Sequence, residues 1–329
     1  FSLVPSKDTD GHGTFLAGLA AGSAFPLQNF TGAAPMADLA IVKLKPAKKY
    51  LRDYYLIPEE TVAFQENDIM MGIKYLRMMA DRLKKPLVIL LAMGSNSGSH
   101  IGTSPLSQVT QNYSGFFGII TVIAGGNGTG AAHHFYASIP AGTEYEDVEI
   151  RVGKEEAERG FVLELWAADA DTYTVGFISP SGERISRIPI IANNETSIPF
   201  LLDATTITVN YQLIEAESGS QLIFMRFQTP AAGIWTVRVY NTQRFKGTFH
   251  MWLPVQGMIS EETVFLRPDP YSTITVPGNS RLPITVGAYD TSTGGIYIHS
   301  SRGFTPNQII KPELAAPGVN ILGPSVGRK

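Results

Sequence analysis

The sequence predicts an α/β protein, a parallel sheet with helices on both faces, interrupted by an all-β block that reads as a sandwich or jelly roll. Three observations carry this. From Ala34 to about Tyr136, short apolar runs alternate with an amphipathic helical period. From about Thr143 to Pro254 the runs change to a period of two, separated by turn signals. From about Pro268 apolar strand signals return. The expected organisation is therefore a discontinuous α/β domain, residues 1–142 and 255–329, with an inserted β-rich domain over 143–254.

Taken in order, "ADLAIVKLK" (Ala37 to Lys45) reads as a buried strand. "ENDIMMGIKYLRMMADRLKKP" places Ile69, Ile73, Leu76, Ala80 and Leu83 three or four apart, with Asn67 or Asp68 as cap and Pro86 beyond the end, and predicts a helix. "LVILLAMG" (Leu87 to Gly94) is apolar at every position, as strands covered on both faces are. "SPLSQVTQNYSGFFG" offers Ser104 as cap and Pro105 at the first helical position, and "IITVIAGGNG" follows as the next strand. The rhythm implies right-handed βαβ units. "EDVEIRV", "GFVLELWAA", "TYTVGFISPSGERI", "SQLIFMRFQTPAAGIWTVRVYN" and "GTFHMWLP" supply the strands of the β block, and no helix pattern interrupts them. "RLPITVGAYD" restores the α/β texture, and "IIKPELAAPGVNILGPS" reads as a proline-rich loop with a short strand.

Composition narrows the function. The 329 residues are 44% hydrophobic and 17% charged, which is ordinary for a globular chain and unlike a disordered one. A formal net charge of −3 gives no general attraction to nucleic acid or anionic membrane, and no apolar run is long enough to span a bilayer. Cysteine is absent, which excludes disulfides, thiolate metal sites and a cysteine nucleophile. The opening "FSLVPSKD" resembles neither a signal peptide nor a natural start, so a trimmed chain is expected.

In open parallel sheets, ligands and catalytic groups collect beyond the carboxyl ends of the strands. Three small-residue clusters fall at such places. In "GHGTFLAGLAAGS" (Gly11 to Ser23), Gly11 and Gly13 allow a tight turn onto a helix, and Ala17, Gly18, Ala20, Ala21 and Gly22 allow that helix close to a sheet. His12 would then project from the rim with a ring nitrogen free for proton transfer. In "LLAMGSNSG", Ala92, Met93 and Gly94 end a strand where backbone groups can pair with an extended peptide, although an ordinary strand exit reads the same way. In "VIAGGNGTG", Asn127 offers a carboxamide donor to a developing oxyanion, although "GGNG" is also a good turn.

Together the three resemble one family. "GHGTFLAG" is similar to the histidine signature of subtilisin-like serine peptidases, with Phe15 where a second histidine is frequent. "LLAMG" resembles their substrate strand, "AGGNG" their oxyanion asparagine, and "KPELAAPGVNI" the loop before their nucleophile. The likeness covers about Asp8 to Tyr136 and Pro268 to Ser325. The all-β insert, with "TPAAGIWTVRVYN", resembles the clostridial spore-germination proteases, a branch with a jelly roll at this point. The resemblance implies an endopeptidase acting by acyl transfer through an Asp/His/Ser triad. His12 is then general base and acid, Asn127 oxyanion donor, and Ala92, Met93 and Gly94 substrate-binding. It implies a protein or peptide substrate, allows a propeptide as partner, and suggests an extracellular, cell-envelope or spore-associated bacterial setting. No cofactor or catalytic metal is called for, and calcium dependence is not legible.

The departures set a further expectation. The family's aspartate lies roughly thirty residues ahead of its histidine, whereas eleven residues precede His12. Asp8 and Asp10 are too close and read as carboxylates of the loop and helix start. Ser95, Ser97, Ser99 and Ser325 lack the Gly-Thr-Ser phrase of the nucleophile. The chain alone is therefore expected to be inactive. The rival reading is a pseudoprotease, the fold kept as a binding or signalling scaffold. A third, an adhesion module on the insert, accounts for Trp166, Trp235 and Trp252 but not for His12. Adjacent His133 and His134 point apart on a strand and have no third metal ligand nearby. "KPAKKYLR" reads as a solvated basic loop, and Asn29, Asn112 and Asn194 begin glycosylation triplets relevant only to a eukaryotic secretory route.

Overall fold

A computed structural model describes residues 6–191 and 194–326; Phe1 and Lys329, on which the expectation of a trimmed chain rests, lie outside them. The parallel strands form a four-stranded sheet, β1 (Leu87–Leu91), β2 (Ile119–Ala124), β14 (Ile284–Tyr289) and β15 (Leu314–Pro317), in that order. Helix α4 (Pro105–Ser114) makes the crossover from β1 to β2, capped as expected by Ser104, whose hydroxyl accepts from the Ser107 N–H at 3.3 Å. Helix α3 spans Glu66–Leu83. Its N-cap is Gln65, so the helix starts ahead of the expected Asn67 or Asp68; Glu66 in the first turn instead accepts from the Leu106 N–H at 2.7 Å, tying α3 to α4.

Two expectations about this sheet are corrected. Residues 37–45 form no strand, because a strand needs a ladder partner and the segment lies along α3, with the Val42 side chain against Gly72. The helices α3 and α4 touch each other and cover a single face, enclosing Ile73, Ile89, Leu106 and Ile123. On the other face Val88 and Ile120 are exposed among the described residues.

The remaining strands build two antiparallel sheets. One runs β3 (His134–Ser138), β12 (Thr248–Trp252), β5 (Phe161–Ala167), β10 (Leu222–Gln228), β9 (Thr205–Gln212), β8 (Glu195–Phe200). The other runs β13 (Val264–Phe265), β4 (Tyr145–Val152), β11 (Gly233–Gln243), β6 (Thr172–Ile178), β7 (Arg184–Ile185). They pack face to face on one core, in which Trp235 meets Phe200 and Phe227 edge-on at 5.0 and 5.8 Å. Strand pairing extends beyond residues 143–254, since β3 and β13 complete the two sheets from either side. A single helical turn, α5 (Glu156–Arg159), interrupts the block where no helix was expected, and β8 and β9 add a hairpin the periodicity reading passed over.

The antiparallel block meets the α/β part along a seam of stacked rings. His100 lies on Trp252 at 3.8 Å between centroids, and His134 and His250 stack on the same indole at 4.9 and 5.2 Å. Asn96 donates across the seam to the Leu253 carbonyl at 2.9 Å. Burial pushes His100 and His134 down to about 4 and His250 well below its usual range. Among the described residues no helix is long and apolar enough to cross a membrane.

Candidate active site

His12 opens helix α1 (His12–Ala21). The residue before it, Gly11, has a φ of 99°, a left-handed turn that a side chain would strain. Asp8 pins this turn: one carboxylate oxygen accepts from the N–H groups of Asp10 and Gly11 at 3.1 and 3.0 Å, the other from the Thr14 N–H at 2.9 Å and hydroxyl at 2.7 Å. These donors hold Asp8 well below the usual carboxylate range. Asp10 accepts from the His12 backbone N–H at 3.1 Å. Both carboxylates are thus spent on the helix start, and the imidazole is exposed, its ring hydrogen-bonded to nothing among the described residues. The small face of α1 does not press on a strand: Gly18 meets Pro324, and the Ala33 and Ala34 N–H groups close onto the Leu19 and Ala20 carbonyls.

Ala92, Met93 and Gly94 follow the last ladder pair of β1, Leu91 with Ile123, and the next pairing is Ser95 with Val276. A Cβ on Gly94 would fall 2.1 Å from the Thr275 hydroxyl oxygen, so only glycine fits there. Asn127 stands at the equivalent exit of β2. The loop is fixed on both sides of it, by Gly125 N–H to the Val286 carbonyl and by Gly128 N–H to the Ser301 hydroxyl, each 2.9 Å. Asn127 itself is exposed, and its carboxamide has no hydrogen-bond partner among the described residues.

Two clefts meet here. The larger, about 1270 Å³, is lined by Ala92, Met93, Gly94 and Asn127, with Leu16 of α1 and His133. The second, about 780 Å³, is bordered by His12 and Asp10 and lined by Met93, Gly94, Ser95 and Glu66. His12 and Asn127 border different clefts, and Met93 and Gly94 are common to both. An exposed imidazole, a free carboxamide and an unpaired strand end are the parts that proton transfer, oxyanion stabilisation and peptide pairing require.

Part of this surface was not anticipated. The second cleft is also walled by Glu164, Trp166 and Phe224 of the antiparallel block and by Tyr54 and Tyr55 of helix α2 (Lys49–Tyr55), which begins within the segment 45–52 read as a basic loop and runs past its end. No local signal marks these positions, because they share a face only after β5 and β10 pair. Trp166, Trp235 and Trp252 are all buried. His134 turns to His250, with ring nitrogens 2.9 Å apart, and His133 turns to the larger cleft. Among the described residues no three potential ligands are grouped to hold a metal.

The model of the subtilase family, Peptidase_S8, matches residues 4–157. Among solved structures, that of the Clostridium perfringens CspB protease is similar, with a TM-score of 0.85 and 28% sequence identity over 99% of this chain. This chain spans 65% of that protein's chain. No curated protein matches it. Residues 4–157 thus match the subtilase family, and the stretch holds the histidine at the glycine turn, the strand end and the asparagine loop.

Proposed function

We propose that the chain is part of a subtilisin-like serine endopeptidase that hydrolyses peptide bonds by acyl transfer. His12 takes the proton of the attacking serine hydroxyl and returns it to the leaving amine. Asn127 donates to the oxyanion of the tetrahedral intermediate, and Ala92, Met93 and Gly94 pair with the extended substrate. The serine and the triad aspartate are not assigned to any residue of this chain. The observation that carries the proposal is that Met93 and Gly94 line both the cleft bordered by His12 and the cleft that holds Asn127. The face-to-face antiparallel sheets support reading residues 143–254 as the body of an inserted jelly-roll domain.

The test is peptide hydrolysis by the full-length protein. His12→Ala is expected to lower kcat by about 10⁶-fold, as loss of the histidine does in subtilisin. Asn127→Ala is expected to lower it by about 10² to 10³-fold with KM little changed, the effect of removing one oxyanion donor. Hydrolysis undiminished in His12→Ala contradicts the proposal.

A further inference from the structure

We infer that the cleft beside His12 receives a basic side chain, arginine or lysine, of a bound extended peptide, and that the selecting wall is supplied by the antiparallel block. The inference rests on the peptide-binding role proposed above and names the class of peptide. Five carboxylates line the cleft, those of Asp10, Glu66, Glu164, Glu215 and Glu217, and no lysine or arginine does. Among the described residues none of the four glutamates forms an ion pair.

Glu164 is the deepest of them. It is 95% buried on the outer face of β5, and one oxygen accepts from the Trp166 indole N–H at 2.9 Å and the Gly98 N–H at 3.0 Å. Those donors satisfy hydrogen bonds without cancelling charge. Burial accordingly raises Glu66 and Glu164, and burial with repulsion from Glu215 and Glu66 raises Glu217. A cation arriving in the cleft removes that cost, whereas an apolar side chain would desolvate the carboxylates further with nothing to pair them.

The rings complete the receptor. Tyr54 stacks on Phe224 at 5.5 Å, and Tyr55 stands edge-on to both at 5.1 and 5.9 Å. Aromatic faces beside carboxylates suit a guanidinium or ammonium. This wall already seats one: the Arg226 guanidinium lies 5.1 Å from the Tyr54 ring centre and donates to the Asp53 carbonyl at 3.3 Å, without lining the cleft. A peptide lying along Met93 and Gly94 turns alternate side chains to opposite sides, which brings one of them to this wall.

The experiment is titration calorimetry of the purified chain in low salt with blocked alanine hexapeptides. Each carries a single arginine moved position by position, and each is paired with the same peptide carrying citrulline, which keeps the shape and removes the charge. At one register the arginine peptide is expected to bind about 10-fold more tightly than its citrulline partner, with the preference reduced several-fold at 0.5 M salt. Glu164→Gln should reduce the preference as well. Glu217→Gln, at an exposed rim position where folding is undisturbed, should reduce it by a smaller factor. Equal affinities for arginine and citrulline at every register, with binding retained, overturn the basic-side-chain inference and leave the peptide-binding role standing. Binding of none of the peptides overturns both. An arginine preference indifferent to both glutamate variants places the cation elsewhere and overturns the assignment to this cleft.

Discussion

Strands β1 and β5 are both apolar along most of their length, yet they are buried in different ways. In β1, Ile89 is 1% exposed and its neighbour Leu90 46%, because α3 and α4 cover one face only. In β5 all seven residues are buried: Leu163 and Leu165 face the second antiparallel sheet, while Val162, Glu164 and Trp166 face Tyr55, Leu56 and the cleft beside His12. The difference separates two uses of a sheet. The parallel sheet ends its strands at the two clefts. The antiparallel block closes on a core of its own and lends its outer face to the neighbouring cleft.

Acid tests the seam between the two regions and should have the largest effect. His100, His133 and His134 are held near 4 by burial, below the value of about 6.5 they take in the unfolded chain. The unfolded state therefore binds protons more readily, so stability is full above pH 6.5 and falls as the pH drops from there toward 4. For the three together the loss by pH 5 is on the order of 5 kcal/mol, read as a fall in the urea midpoint between pH 7.5 and 5. An unchanged midpoint would mean that the rings are not buried as described.

Next in size is the closed core. Trp235→Ala should cost about 4 kcal/mol by urea denaturation, because the ring is fully buried among Phe200 and Phe227. The sharpest form of the comparison is a neighbouring pair on β1. Ile89→Ala should cost about 3 kcal/mol, and Leu90→Ala less than about 1 kcal/mol. Equal costs would show that both faces of the parallel sheet are covered.

Local motifs were readable and tertiary ones were not. His12 and Asn127 stand out because glycines flank them, and the need for those glycines is local, as the φ of 99° at Gly11 shows. Pro105 and Ser104 mark the start of α4 for the same kind of reason. Residues 37–45 have the composition of a strand, but composition does not supply a hydrogen-bonding neighbour. The apolar runs of β1 and β2 predicted helices on both faces, since periodicity reports that a face is apolar and not what covers it. The ring stack joins His100, His134, His250 and Trp252 from separate segments, and the acidic cleft wall joins β5, β10 and α2. Neither leaves a mark at short range. Asp171 is a similar case: buried between strands, it accepts the N–H groups of Lys246, Gly247 and Thr248 at 3.1, 2.7 and 3.2 Å, a clamp that only the folded chain assembles.

In the function proposed, His12, Met93 and Gly94, and Asn127 serve one bound peptide although two clefts hold them. The decisive measurement is amide NMR of the isotopically labelled chain during titration with a single blocked hexapeptide. Signals of His12, Gly94 and Asn127 are expected to shift together with one dissociation constant. Shifts confined to Met93 and Gly94, with the histidine turn and the asparagine loop both unmoved at saturation, would contradict that function.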